Sequence, residues 1–412
     1  MNYWTFIRRR KRDLAFGFIH GFCSAPGQTF CISLFVTSFA ASFQISPTDL
    51  GTLYLVATLA AAFALSYLGA WIDRANLRSY SLAAGGLLVS ACWLTAAAPN
   101  LVVLALGLFA LRLAGQGLMS HIQATATARA FTENRGAALG LTGLGIPIAT
   151  AVFPPLAAFL IAAIGWRWAY VAIGIGVFLL LLTATWWVPR ATDFGDSETS
   201  AGDAKHHQKP AAAAQVSASR MLMTSGYFWA AIPMLVLAPF VGTALVFQLT
   251  VIAADRNWST AWVAGAFPAL ALAHIASLFA SGRWIDAFSA RAVAALHGIP
   301  ITLGVLVLAT FEQPVALVIA MIGMGLTGGA AQTAFAAVWA EVYSLHHFGT
   351  IRSLVMSLMV ISSAVAPLAL GYALSIASDT SIALFLLTAL AVGLQFPLFF
   401  IELIRIGRAR PS

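Results

Sequence analysis

Arg112 stands alone. The eleven residues before it, from Leu101 to Leu111, carry no polar side chain, and none of the fourteen acids falls at a matching depth in any apolar run. A guanidinium inside a bilayer costs about 2.5–3.5 kcal/mol on insertion scales, so it needs a partner or a wet cavity. Two chemistries fit it, and the residues leave them level. It is a counter-charge that draws a small anion into a cavity with no fixed negative charge, or it is a coupling or structural residue.

Gln116, Ser120, Gln123 and Thr127 follow Arg112 at three- to four-residue spacing, one polar stripe on an α-helix. His20, Ser24, Gln28 and Cys31 make a similar stripe in the first apolar run. Gln248, His274, Gln332 and Thr333 are the polar candidates of the later runs. With no deep carboxylate, a coupling proton has to ride on His20, on His274 or on the solute itself, and His274 is the stronger of the two histidines. His121 falls opposite the Arg112 stripe and reads as packed. Cys23 and Cys31 lie eight residues apart, about 12 Å along one helix, too far for a disulfide. They read as core residues, with a soft-ligand role for a thiophilic solute behind that.

Helices that live in lipid have to hold these side chains. The chain has 412 residues, of which 60% are hydrophobic and 9% charged, against about 25% charged in a soluble domain. Repeated apolar runs of about 20 residues mark spanning helices. Twelve are expected, at 14–43, 50–72, 79–98, 101–129, 136–163, 167–188, 226–252, 260–281, 292–311, 314–341, 350–377 and 381–404. The first, preceded by Arg8-Arg9-Arg10-Lys11-Arg12, is too long for a cleaved signal. With the N-terminus inside, nineteen of the twenty-two Lys and Arg residues fall on the cytoplasmic side, and only Arg167 and Arg256 fall outside. That bias orients the chain with both termini in the cytoplasm of an inner membrane. It also accounts for the net charge of +8 without a nucleic-acid partner. Ser46-Pro-Thr-Asp49 reads as a helix start, so Asp49 is a cap rather than a proton carrier. Residues 189–225 read as a polar linker between an N-terminal half, 1–188, and a C-terminal half, 226–412. His206-His207 reads as solvated linker, and no metal site is expected.

The halves repeat each other. Gly69-Ala-Trp-Ile-Asp73-Arg74-Ala-Asn-Leu-Arg78 returns 213 residues later as Gly282-Arg-Trp-Ile-Asp286-Ala-Phe-Ser-Ala-Arg291. At the same offset Pro26 maps onto Pro239, Gly115 onto Gly328, and Pro154 onto Pro367. Helix breakers at matching depths in two halves point to a transporter's moving parts.

Gly69, Asp73, Arg74 and Arg78 match the G-x-x-x-D-[RK]-x-x-x-R loop motif of the major facilitator superfamily, which the chain resembles over nearly its whole length. Gly282, Asp286 and Arg291 keep most of it, with Ala287 in place of the basic residue. Arg112-Leu-Ala-Gly115-Gln-Gly117 resembles the superfamily's fourth-span motif, one residue shortened. The resemblance implies an all-α membrane protein, two six-helix bundles related by a pseudo-two-fold axis along the membrane normal. It implies alternating access around a midplane site. Asp73 would face the start of span 11 near Gly349–Arg352, and Asp286 the start of span 5 near Gly136, as gate latches. Gly69 and Gly282 would let neighbouring helices approach closely.

No P-loop, nucleophile or metal-ligand pattern points to an enzyme. The expectation is therefore a monomeric secondary transporter in the lipid bilayer. It needs no cofactor, and a proton is the candidate coupling ion. Its first-choice substrate is a small organic anion such as a carboxylate. The alternative is export of neutral or amphipathic toxicants, drugs or metalloids. A sensor on a transporter scaffold ranks last, because both gate motifs are present.

Overall fold

The structure is a computed structural model that describes residues 7–131, 134–187, 224–342 and 348–408, with backbone alone at Asp73, 185–187, Ala340, 348–353 and 406–408. The expected linker, 189–225, lies almost wholly outside the described residues. Every regular element among them is helical. Lipid offers no hydrogen bonds, so a spanning backbone must satisfy its own N–H and C=O groups, and a helix does that within one segment.

Ten continuous runs are long and apolar enough to cross a membrane, and one of them, Arg135–Ala184, is two spans in sequence. It turns at Gly165, whose φ of +78° and ψ of 160° leave the helix. A side chain there would be strained, so glycine sets the hairpin between spans 5 and 6. Span 1 is assembled from pieces, Lys11–Cys23, Ala25–Gly27, Thr29–Ile32, Ser33–Phe35 and Val36–Phe43. The others are span 2 (Pro47–Leu68), span 3 (Leu77–Ala96), span 4 (Leu101–Ala130), span 7 (Gly226–Asp255) and span 8 (Thr260–Ala287). Span 9 (Ala290–Thr310), span 10 (Val315–Val342), span 11 (Phe348–Ile376) and span 12 (Thr380–Arg408) complete the twelve.

The helices gather into two compact units. The first is Met1–Asp196 with Leu249–Val251 and Ser259–Phe267; the second holds the rest. Span 2 starts on a capping box: the Asp49 amide donates to Ser46 Oγ at 3.1 Å, and the Ser46 amide donates to the Asp49 carboxylate at 2.9 Å. Such a cap is worth about 1 kcal/mol. Within the first unit Gly145 lies directly on the backbone of Phe18, Gly21 and Phe22, so spans 1 and 5 touch main chain to main chain. Span 10 does the same in the second unit. Gly325 and Gly329 lie on the span 8 backbone at Leu270 and His274, and Gly323 lies on Pro300 of span 9.

Candidate functional site

Span 1 breaks where proline removes a donor. After the 3-10 turn Ala25–Gly27, Gln28 is extended at φ −84°, ψ 149°. The Cys31 amide turns to the Gln28 carbonyl at 3.1 Å, which frees the Gly27 carbonyl from its helical role. Arg112 takes it. Nη1 donates to Gly27 O at 3.0 Å and Nε to Thr58 Oγ1 at 3.2 Å. The guanidinium carbon lies 4.8 Å from the centre of the Tyr54 ring, and the Tyr54 hydroxyl meets Thr29 Oγ1 at 2.6 Å. Arg112 is only 2% exposed. Among the described residues no acid pairs with it; a carbonyl, a hydroxyl and a π face share its charge.

The helix that carries Arg112 changes its winding to do this. Arg112–Met119 is π-helix, flanked by α-helix on both sides. The wider turn brings Gly115 against the Gly27 backbone, where a methyl group on either glycine would overlap main-chain atoms. This corrects the single polar stripe expected on span 4, which assumed 3.6 residues per turn throughout. Arg112 faces spans 1 and 2, whereas Gln123 and Thr127 meet Thr142 of span 5 at 2.8 and 3.2 Å. Gln116 is half-buried beside the shifted register. The continuous stripe on span 1 is corrected too, because the break falls inside it. His20 meets the Phe16 carbonyl at 2.8 Å, Ser24 donates to Gly21 O, and Gln28 donates to Ser24 Oγ at 3.1 Å. For the same reason Cys23 and Cys31 are not on one helix.

The loop motif is held by Arg129, a basic neighbour expected beside Asp73, and by Tyr80 and His121, which were not expected there. Span 2 ends in a 3-10 turn, Gly69–Asp73, and helix ends leave carbonyls without partners. Tyr80 donates to Leu68 O at 2.9 Å, His121 to Gly69 O at 3.1 Å, and Arg129 to Ile72 O at 3.1 Å. Arg74 and Arg78 are exposed. The Asp73 side chain and those of Gly349–Arg352 lie outside the described residues. The second copy differs. Asp286 is exposed and makes no hydrogen bond or ion pair among the described residues. Among the described residues nothing lies within 4 Å of a side chain built at Gly282, in contrast to the close approach expected there. Its Arg291 pairs instead with Glu341 of span 10 at 3.4 Å and lies 5.3 Å from the centre of the Tyr227 ring. The Ala290 amide donates to the same carboxylate at 3.2 Å.

The second unit contains a cleft of about 590 Å³ between spans 7, 10 and 11. Its walls include Pro239, Gly328, Gln332, Phe335, Trp339, Met356 and Met359, and none of its lining residues carries a formal charge. Span 7 stays helical past Pro239, unlike span 1 past Pro26. Span 8 packs closely on span 10 because span 10 has glycines where they meet: a methyl on Gly328 would strike the His274 ring. His274 Nε2 then lies 3.4 Å from Gln332 Oε1, so these two candidates meet at the cleft wall. Gln248 does not join them. It is fully buried and donates to the Pro367 carbonyl at 2.9 Å, tying span 7 to span 11. The aromatic wall, Phe335 stacked 6.0 Å from Trp339, escaped the sequence reading. A Phe and a Trp four residues apart on an apolar helix look like ordinary core.

The family model of the Major Facilitator Superfamily matches residues 17–367. No curated protein matches the sequence. Solved structures share the fold at low identity. A bacterial homolog to the human lysosomal transporter Spinster, inward-facing and unoccupied, superposes with a TM-score of 0.67 at 15% identity, covering 95% of this chain and 93% of that one. The nucleoside transporter NupG superposes at 0.71 with 13% identity, covering 95% of this chain and 98% of that one. Identities this low speak to fold alone, but the family match spans most of the sequence, and with twelve apolar helices and the loop motif it shows that this integral multi-pass membrane protein belongs to the major facilitator superfamily of transporters.

Proposed function

We propose that the chain is a secondary transporter for a neutral, amphipathic solute with an apolar or aromatic body, and that the solute sits in the cleft of the second unit. The uncharged lining carries this reading. Phe335 and Trp339 offer π faces, Met356 and Met359 offer soft adaptable contacts, and Gln332 with His274 gives one polar end. The organic-anion reading rests on Arg112 alone. That guanidinium is buried and already committed to Gly27 and Thr58, so it serves the broken backbone of span 1 rather than a solute. We further infer an inner-membrane monomer with both termini inside, working by alternating access, with Gly69, Asp73, Arg74, Arg78, Gly282, Asp286 and Arg291 at its inner gate. The charge distribution and the repeated motif support this.

The test is a thermal-shift panel on purified protein with chloramphenicol as neutral probe, benzoate as anion and ethidium as cation. The neutral probe should stabilise the protein, and Gln332→Leu should weaken it about tenfold, the loss of one hydrogen bond. Stabilisation by benzoate alone, abolished by Arg112→Gln, would return the assignment to an organic anion.

A further inference from the structure

Behind the cleft wall lies a histidine that no motif accounts for. His297 sits in the short gap between the two pieces of span 9, Ala290–Leu296 and Ile299–Thr310, and is 4% exposed. Its Nδ1 lies 2.7 Å from the Ala294 carbonyl. A carbonyl only accepts, so the neutral ring carries its proton on Nδ1 and presents Nε2 as a bare lone pair. That Nε2 is buried and has no hydrogen-bond partner. An empty buried acceptor is costly and asks for a reason. The ring packs at 87° against Phe335, centroids 5.2 Å apart, and Phe335 lines the cleft. His20 repeats half of this pattern: Nδ1 meets the Phe16 carbonyl and Nε2 is empty. Its aromatic neighbour, however, is Phe16 on its own helix, 4.1 Å away, and neither residue borders the cleft.

We propose that His297 Nε2 is the proton-binding site of this transporter, and that its charge state sets the position of Phe335 and so couples a proton to the solute cleft. The proposal rests on the cleft being the solute site. One N–H bond forms at Nε2 when a proton arrives from one aqueous side, and the same bond breaks when it leaves to the other; nothing is oxidised or reduced. An imidazolium is drawn to the face of an aromatic ring and repelled by its edge. Adding the proton therefore changes which arrangement of the two rings is favoured.

Among the described residues, the charged groups of spans 9, 10 and 12 nearest this pair lie toward one end, and Arg256 closes the opposite end of span 9. Arg291 precedes His297 by six residues on span 9, and Glu341 follows Phe335 by six on span 10. Their ion pair therefore sits about 9 Å along the helix axes from the two rings. Span 12 packs Gln395 on Gly298, beside His297, and carries Glu402 and Arg405 further along, paired at 3.0 Å. Glu402 is 4% exposed with Oε1 lacking a partner, and span 7 adds Tyr227, whose hydroxyl is also buried without one.

Two measurements test this. In nanodiscs, 15N-histidine-labelled wild-type protein should give an Nε2 signal that is absent from His297→Gln and displaced by Phe335→Leu. It should pass from neutral to protonated as the pH is lowered. In proteoliposomes containing pyranine, efflux of radiolabelled chloramphenicol should carry protons. His297→Gln should abolish that proton movement while solute counterflow persists. A His297 signal that stays neutral down to the lowest pH at which the protein remains folded, or a His297→Gln protein with the wild-type proton-to-solute ratio, overturns the proposal. If the probe never binds, the cleft assignment fails instead, and the titration, which needs no solute, still decides whether His297 takes a proton.

Discussion

Arg112 shows what one intramembrane charge can be for. Its fork geometry lets one side chain reach a carbonyl on span 1 and a hydroxyl on span 2 while lying over Tyr54. Lysine has one ammonium and cannot hold both at those positions. Arg112→Lys should therefore lose about 2 kcal/mol, the worth of a charge-assisted hydrogen bond in a buried site, seen as a lower melting temperature in detergent. Chloramphenicol binding should survive in the protein that remains folded. Unchanged melting with lost binding would mean that Arg112 touches the solute. The sequence made the residue conspicuous because it is the one charge deep in an apolar run. It could not show the partner, because a backbone carbonyl has no letter of its own. His297 was invisible for a related reason: it falls inside the expected span 292–311 with nothing to distinguish it, and only the packed structure places its ring against Phe335.

At the scale of elements, duplicated letters do not guarantee duplicated geometry. Pro26 and Pro239 occupy the same position in their halves, yet span 1 breaks and span 7 runs on. The difference lies in the neighbour. In span 1 the freed carbonyl finds Arg112, whereas position 325 on span 10, the counterpart of Arg112 at the repeat offset, is a glycine packed on span 8. Gly282 of the second loop motif and Gly27 at the crossing of spans 1 and 4 also differ in their surroundings. Gly27→Ala would push a methyl into the Leu111 carbonyl, a main-chain atom that cannot swing aside, while Gly282→Ala meets empty space. We expect Gly27→Ala to cost about 1–3 kcal/mol by overpacking and Gly282→Ala to leave the melting temperature unchanged. Equal loss in both would put the importance of these glycines in the gate rather than in helix packing. Arg167 and Arg256, the two cations on the wrong side of the charge count, also become intelligible here. Arg167 donates to Ala96 O and Ala98 O at 2.8 Å, and Arg256 to Leu308 O at 2.7 Å and Phe311 O at 3.1 Å. Each closes the carbonyl end of a helix, span 3 in one unit and span 9 in the other, where a positive charge is favoured by the helix dipole. Burial pulls the Arg256 pKa down from its ordinary value, and nearby Glu312, Asp379 and Asp255 oppose that shift.

For the whole molecule, hydropathy carried the reading a long way because lipid enforces it: a segment without polar side chains and with internally bonded backbone has few shapes open to it. The twelve spans and their turns were legible for that reason, including the Gly165 hairpin. The interior of each unit was not, since helix register inside an apolar bundle depends on small residues and π-turns that hydropathy does not weigh. Orientation rests on Lys and Arg counts alone, and it can be tested without altering the native cysteines. Cys23, Cys31 and Cys92 are each 0% exposed, so a membrane-impermeant maleimide should leave the wild-type protein unlabelled. Ala75 in the loop after span 2 and Ala287 at the last residue of span 8 are exposed, as are Ala97 and Gln313 in the loops after spans 3 and 9. On intact cells, Ala97→Cys and Gln313→Cys should label at once, while Ala75→Cys and Ala287→Cys should label only after the membrane is opened. The reverse pattern would place the proposed inner gate on the outside. Labelling of all four from one side would mean that spans 3 and 9 do not cross.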